Sequence, residues 1–285
     1  MKKCNKALLI GMFCLSIGMW SCKKNSADST VAPIPGGDNR ALNVTTSGQF
    51  STGTINPAWG LGTQLIANTS LDKTYSWYID QYTTGTYWDV NCGPTSATMA
   101  IKWADPTFSK TVVDARNTYR STGGWWYTTD VANYLNLDGL NWQYKSLSDG
   151  YQTMMKYLDQ GDILILCLDN YYLTYNSNPV QHVGKFYTVS APGSGHFIVI
   201  KGYKNVNNNI YFDAYDPWSI GATYSDGSGL KGLDRYYTSA NLSQATAVWW
   251  DYAIIIAPKG QQVTAAAGLR RAFALPTQVP EQKGR

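Results

Sequence analysis

Residues 87–105, YWDVNCGPTSATMAIKWAD, decide how the chain is read. Ala97, Ala100, Ile101 and Ala104 recur at helical spacing, Pro94 falls where a first-turn proline is tolerated, and Asp105-Pro106 closes the run. Cys92 therefore stands at the start of a helix, where unpaired backbone N–H groups and the macrodipole favour negative charge. A thiol ordinarily titrates at about 8.5, so this position gives the sulfur thiolate character. Gly93 leaves room for another backbone, such as a substrate's, to come close. The plainer reading is a small apolar residue that opens a helix, and the residues around Cys92 must decide between the two.

The chain holds two histidines, His182 and His196. His196 opens the strand-like run HFIVIKGY (196–203) after the flexible APGSG, and Asp216 ends the run NIYFDAYD (209–216). KNVNNN between them reads as the turn of an antiparallel hairpin. With that turn centred near residue 206, His196 and Asp216 lie about equally far from it and within side-chain reach. A carboxylate there orients the imidazole and stabilises its charged form, completing a nucleophile, base and orienter. Asp213 is the competing carboxylate, and Asp216 is preferred because it shares a strand end with the histidine. His182, in NSNPVQHVGKF, reads as a surface or loop residue.

The remaining pattern places a short helix over Asp130–Asn136 and another from Ser148 to Gln160, with Ser148 as cap and Gly161 as stop. DILILCL (162–168) and VWWDYAIIIA (248–257) read as strands, with Cys167 as a buried strand residue. Helices come first and strands afterwards. That order predicts an α+β plan in which a helical lobe faces an antiparallel sheet lobe across a cleft. The aromatic stretches GGWWYTT and DNYYLTY read as core or rim packing, or as the lining of a groove.

The chain starts MKKCNKALLIGMFCLSIGMWSC, three lysines before a short apolar run, which is the layout of a signal peptide over residues 1–21. The small residue before Cys22 resembles the lipobox of bacterial lipoproteins, in which that cysteine is acylated. Residues 22–70, rich in Ser, Thr, Gly, Pro and Asn, read as a flexible tether or propeptide, 71–258 as the domain and 259–285 as a peripheral tail. Loss of residues 1–21 removes three lysines and no acid, lowering the formal charge from +4 to +1. A near-neutral chain without a basic aromatic stripe argues against nucleic acid. Cys92 and Cys167 then remain as the two thiols besides Cys22, and a disulfide between them would abolish a nucleophilic role for Cys92.

NCGPTSATMAIKW, GHFIVIKGY and YDPW, in this order, resemble the cysteine, histidine and aspartate motifs of papain-like cysteine peptidases, above all the group around the bacteriocin-processing, double-glycine peptidases. The resemblance spans roughly residues 75–257. It implies a papain-like fold with Cys92 as nucleophile, His196 as general base and acid, and Asp216 as orienter. It also implies an upstream glutamine whose side-chain amide joins the cysteine N–H in an oxyanion hole; Gln81 is the glutamine shortly before Cys92, eleven residues away. No metal or organic cofactor is implied, and the ligand spacing of a zinc or EF-hand site is absent from the sequence. The expected protein is a monomeric, secreted or lipid-anchored cysteine peptidase of the bacterial cell envelope that acts on a peptide or protein. The alternatives are another thiol acyl-transfer enzyme on cell-wall or protein peptides, such as an amidase, deamidase or transamidase, or a non-catalytic peptide- or glycan-binding module.

Overall fold

The run ILILCLD folds as strand β4, Ile163–Asp169, and every one of its residues is buried. A strand with no exposed face needs a cover on both sides. Here the odd residues Ile163, Ile165 and Cys167 share one core with helices α1 (Cys92–Ala104) and α3 (Thr128–Leu137). The even residues Leu164, Leu166 and Leu168 pack against α4 (Tyr151–Asp159) and α5 (Ser239–Ala247). This is the period-two alternation of a strand, with apolar side chains on both faces. The computed structural model describes residues 53–263. The signal segment, Cys22 and most of the tail lie outside the described residues.

Besides β4, the sheet contains β1 (Gly53–Thr54), β2 (Gln64–Ser70), β3 (Trp142–Ser146), β5 (Gly195–Val206), β6 (Asn209–Tyr215), β7 (Arg235–Thr238) and β8 (Tyr252–Ile256). The order is β1-β2-β5-β4-β8-β3, with β6 also on β5 and β7 on β6, and every pairing is antiparallel. β5 is the hub. Its first half pairs with β4, its second half with β2, and β6 runs along its other side. The α+β class read from the sequence, helices packed on an antiparallel sheet, is the class observed.

Several boundaries differ from the sequence reading. The expected tether includes β1 and β2, and β2 pairs with β5 from Leu65↔Val206 to Ser70↔Gly202. The polar run QLIANTS is an edge strand whose pairing comes from β5, so its own composition carried little signal. Gly202 makes the close approach possible, because a Cβ there would collide with the Thr69 carbonyl oxygen. Helices and strands also interleave: β3 precedes α4, and α5 follows β7. Helices α2 (Val112–Thr118) and α5 were not anticipated, although the capping box of Thr111 and Asp114 marks the start of α2. Ser148 caps nothing; α4 starts at Tyr151 after Gly150, and Ser148 hydrogen-bonds Ser146 instead. The last strand begins at Tyr252 rather than 248. Beyond residue 258, Lys259 bonds Asp105 at 2.7 Å, so the tail's first residue is docked on the end of α1.

Candidate active site

Helix α1 begins at Cys92, as its sequence implies, but it is no surface helix: every residue except Lys102 is buried. Gly93 serves that burial. A Cβ at Gly93 would lie 2.7 Å from Trp126 Cβ and 3.5 Å from the Phe197 ring, so its small size admits the core rather than a substrate. A turn further on, Ser96 Oγ donates to the Phe197 carbonyl at 3.2 Å, pinning α1 to the start of β5 beside His196. Cys92 and Cys167 are not joined in a disulfide, so the disulfide reading fails.

His196 Nε2 lies 2.7 Å from Asp216 Oδ1. The two do not face each other squarely, as an equal distance from the turn would require. The turn falls at Asn207 and Asn208, both with positive φ, and pairs Val206 with Asn209. A register shift between Ile200 and Gly202 follows, and the ladder ends at Val199↔Tyr215. One residue beyond the ladder, Asp216 meets the ring on a diagonal, a contact that long side chains on neighbouring strands can make. The competing Asp213 is bound to Lys201 at 3.2 Å.

The Asp216 carboxylate has its acceptor positions filled. Oδ1 also takes the Trp218 N–H at 2.9 Å, and Oδ2 takes the hydroxyls of Tyr237 at 2.6 Å and Tyr187 at 3.2 Å. Neither tyrosine was singled out by sequence. Tyr237 arrives from β7, the strand paired with β6, and Tyr187 from a loop, its ring edge-on to His196. Burial would raise Asp216, yet the charge and hydrogen bond of His196, then the Tyr237 and Trp218 donors, hold it below the usual carboxylate value.

Burial would lower His196 likewise. The opposing charge and hydrogen bond of Asp216, followed by a hydrogen bond and charge from Cys92, push the ring up to about 10. With Nε2 given to Asp216, Nδ1 is the nitrogen left for the sulfur. A charged imidazole between a carboxylate and a sulfur favours the thiolate, which is the nucleophilic form. Cys167 is pushed the other way. It sits wholly buried in β4, so desolvation first, then the nearby charge of Cys92, raise it well above an ordinary thiol.

Gln81 is fully buried. Its backbone N–H donates to Pro217 O at 2.8 Å, next to Asp216, and its Nε2 donates to Trp88 O at 2.7 Å, four residues before Cys92. Asp80 adds to the same link, accepting from the backbone N–H groups of Ile220 and Gly221. The segment carrying Gln81 thus bridges the loop after Asp216 and the approach to Cys92. One Nε2 hydrogen is left over, and the residues 84–87 take up the long spacing as a turn between two short 3-10 helices.

Two other features resolve differently from expectation. His182 lies in a loop but is buried rather than superficial, stacked 3.7 Å from the Tyr224 ring and 4.6 Å from that of Trp59. Three acids converge among the described residues, Asp72, Asp213 and Asp234. The fully buried Lys201 ammonium stands among them at 2.7, 3.2 and 2.8 Å, supplying the positive charge such a cluster needs.

A sulfur at a helix start, an imidazole at the start of a sheet strand and a carboxylate holding that imidazole, all on an α+β frame, are the arrangement of the papain-like class. The chain belongs to the Peptidase_C39 like family, whose model matches residues 74–243. Among solved structures it is similar to a protein from Bacillus anthracis described as a C39-like peptidase, with 14% identity and a TM-score of 0.45 over 68% of this chain and 99% of that one. It is also similar to UfSP from C. elegans, with 12% identity and a TM-score of 0.41 over 70% of this chain and 35% of that one. No curated protein sequence matches it.

Proposed function

We propose that the protein is a cysteine peptidase that hydrolyses peptide bonds through Cys92, His196 and Asp216. The observation that carries this reading is the 2.7 Å hydrogen bond between buried His196 and buried Asp216, with Cys92 acting on the same imidazole from the start of α1. The Cys92 thiolate attacks the carbonyl carbon of the scissile bond, and the carbonyl electron pair moves to oxygen. The oxyanion is met by the Cys92 backbone N–H at the start of α1 and by the side-chain amide of Gln81. A donor of this kind contributes about 3 to 4 kcal/mol to the barrier. As the C–N bond breaks, His196 gives its proton to the departing amine, leaving a thioester. Water then attacks the thioester, His196 takes a proton back, and the C–S bond breaks to release the acid and the thiolate.

The near-neutral charge, the signal-like start and the small residue before Cys22 support a lipid-anchored or secreted monomer of the bacterial cell envelope that acts on peptides or proteins. Purified protein incubated with a peptide library is expected to create new amino termini. Activity should be lost in Cys92→Ala and fall at least a hundredfold in His196→Ala. Ammonia release without chain cleavage would replace peptidase by deamidase. Equal, slow labelling of Cys92 and Cys167 by a thiol probe would leave only a binding module. In the membrane fraction of the same cells, a diacylated Cys22 fragment checks the anchor; its absence from the mature amino terminus overturns it.

A further inference from the structure

Arg116 is only 3% exposed, and its guanidinium is bonded to neutral groups alone. Nε and Nη2 donate to Asn91 Oδ1 at 2.9 and 2.5 Å, Nη2 also to Val90 O at 3.2 Å, and Nη1 to Gly124 O at 2.8 Å and Arg120 O at 3.5 Å. Its carbon lies 6.0 Å from the Tyr87 ring centre. No carboxylate among the described residues pairs with it; the acid that acts on it, Asp130, is bonded to Arg120 at 3.0 Å.

A buried cation without an anion is costly, and proteins seldom keep one. This one is also in a poor place for a cation. Val90 and Asn91 directly precede Cys92, so the guanidinium sits at the positive pole of α1, which favours anions. Two positive features side by side favour a negative charge close to both. The group at that position able to carry it is the Cys92 sulfur. Burial lowers Arg116, and the charge of Cys92 is the largest influence raising it again.

We propose that Arg116 is the fixed counter-charge of the Cys92 thiolate, a positioning residue that keeps the sulfur ionised even while His196 is without its proton. This rests on reading Cys92 as the nucleophile. His196 gives its proton to the departing amine and then takes one from water, so its charge comes and goes during the cycle, whereas a guanidinium keeps its charge throughout. The titratable and charged groups acting with the sulfur are then His196 and Cys167 on the sheet and Arg116 on α2; around Arg116 they are Cys92, Tyr87, Arg120 and Asp130.

The test is the pH dependence of Cys92 alkylation by iodoacetamide in the full chain, followed by mass spectrometry, with thermal melts to establish folding. Arg116→Gln removes the charge and is expected to raise the midpoint by about one pH unit or more, a roughly tenfold slower reaction below the midpoint. Arg116→Lys keeps the charge without the fork; it should melt lower yet hold the wild-type midpoint. A folded Arg116→Gln with an unmoved midpoint, or an Arg116→Lys whose midpoint rises by a full unit, overturns the proposal. If Arg116→Gln does not fold, Arg116→Lys decides alone. A wild-type midpoint near an ordinary thiol's 8.5 would instead sink the nucleophile reading itself.

Discussion

Asp216 accepts four hydrogen bonds on two oxygens, and each donor restrains it differently. His196 and the Trp218 N–H hold Oδ1, while Tyr237 and Tyr187 hold Oδ2 from buried positions that bulk water does not reach. Hydrogen bonds to an ionised partner are worth about 1.5 to 3 kcal/mol each, so the tyrosines matter as much as the histidine does for keeping this carboxylate charged and still. Tyr237→Phe, which removes the 2.6 Å donor, is expected to cost about 2 kcal/mol of stability. It also makes Asp216 easier to protonate. The acid-unfolding midpoint should therefore move to higher pH, as acid titration by circular dichroism would record, and the same change at Tyr187, whose bond is 3.2 Å, should move it less. Cys92, His196 and Asp216 were legible in the sequence because their residue types are rare or stand at element ends. The tyrosines were not, since the chain holds 21 and nothing local marks the two that reach the site.

At the scale of elements, α1 is held by what surrounds it. Its N-terminus is pinned by Arg116 from α2 through Asn91, by the bond of Ser96 to the Phe197 carbonyl of β5 and by Trp126 against Gly93. A methyl group at residue 93 cannot enter without moving Trp126 Cβ, which belongs to backbone-anchored structure and not to the end of a flexible side chain. Gly93→Ala is expected to destabilise the fold by about 1 to 3 kcal/mol, the usual cost of overpacking, and to lower kcat sharply by shifting the sulfur. Urea unfolding and turnover of the same sample check both; an unchanged midpoint would mean that Trp126 yields freely. The helix was readable from its Pro94 and alanine spacing. Strand β2 was not, because a polar edge strand takes its conformation from the backbone of its neighbour, here β5.

For the whole molecule, the charged pair at the site sets a pH window. The His196 value is raised, so its contribution is complete below about 6.5 and is lost as pH rises through about 10; the Asp216 value is lowered, so its contribution is present above about 3.8 and is lost as pH falls further. Melting temperature is expected to hold across neutral pH and to decline on the alkaline side near 10. In Asp216→Asn, that alkaline decline should begin at lower pH, and a wild-type curve already falling between pH 6 and 7 would refute the charged imidazole. The amino-acid sequence by itself determined the class, the cysteine helix, the hairpin and the triad candidates, since each is written in local spacing and in scarce residues. Tertiary structure alone decided that residues 53–54 and 64–70 belong to the sheet, that Lys201 sits among three acids, and that Arg116 reaches the backbone just before Cys92. Those facts depend on segments far apart in the chain meeting across a packed interior, where a common residue gains its meaning from which charges it is buried beside.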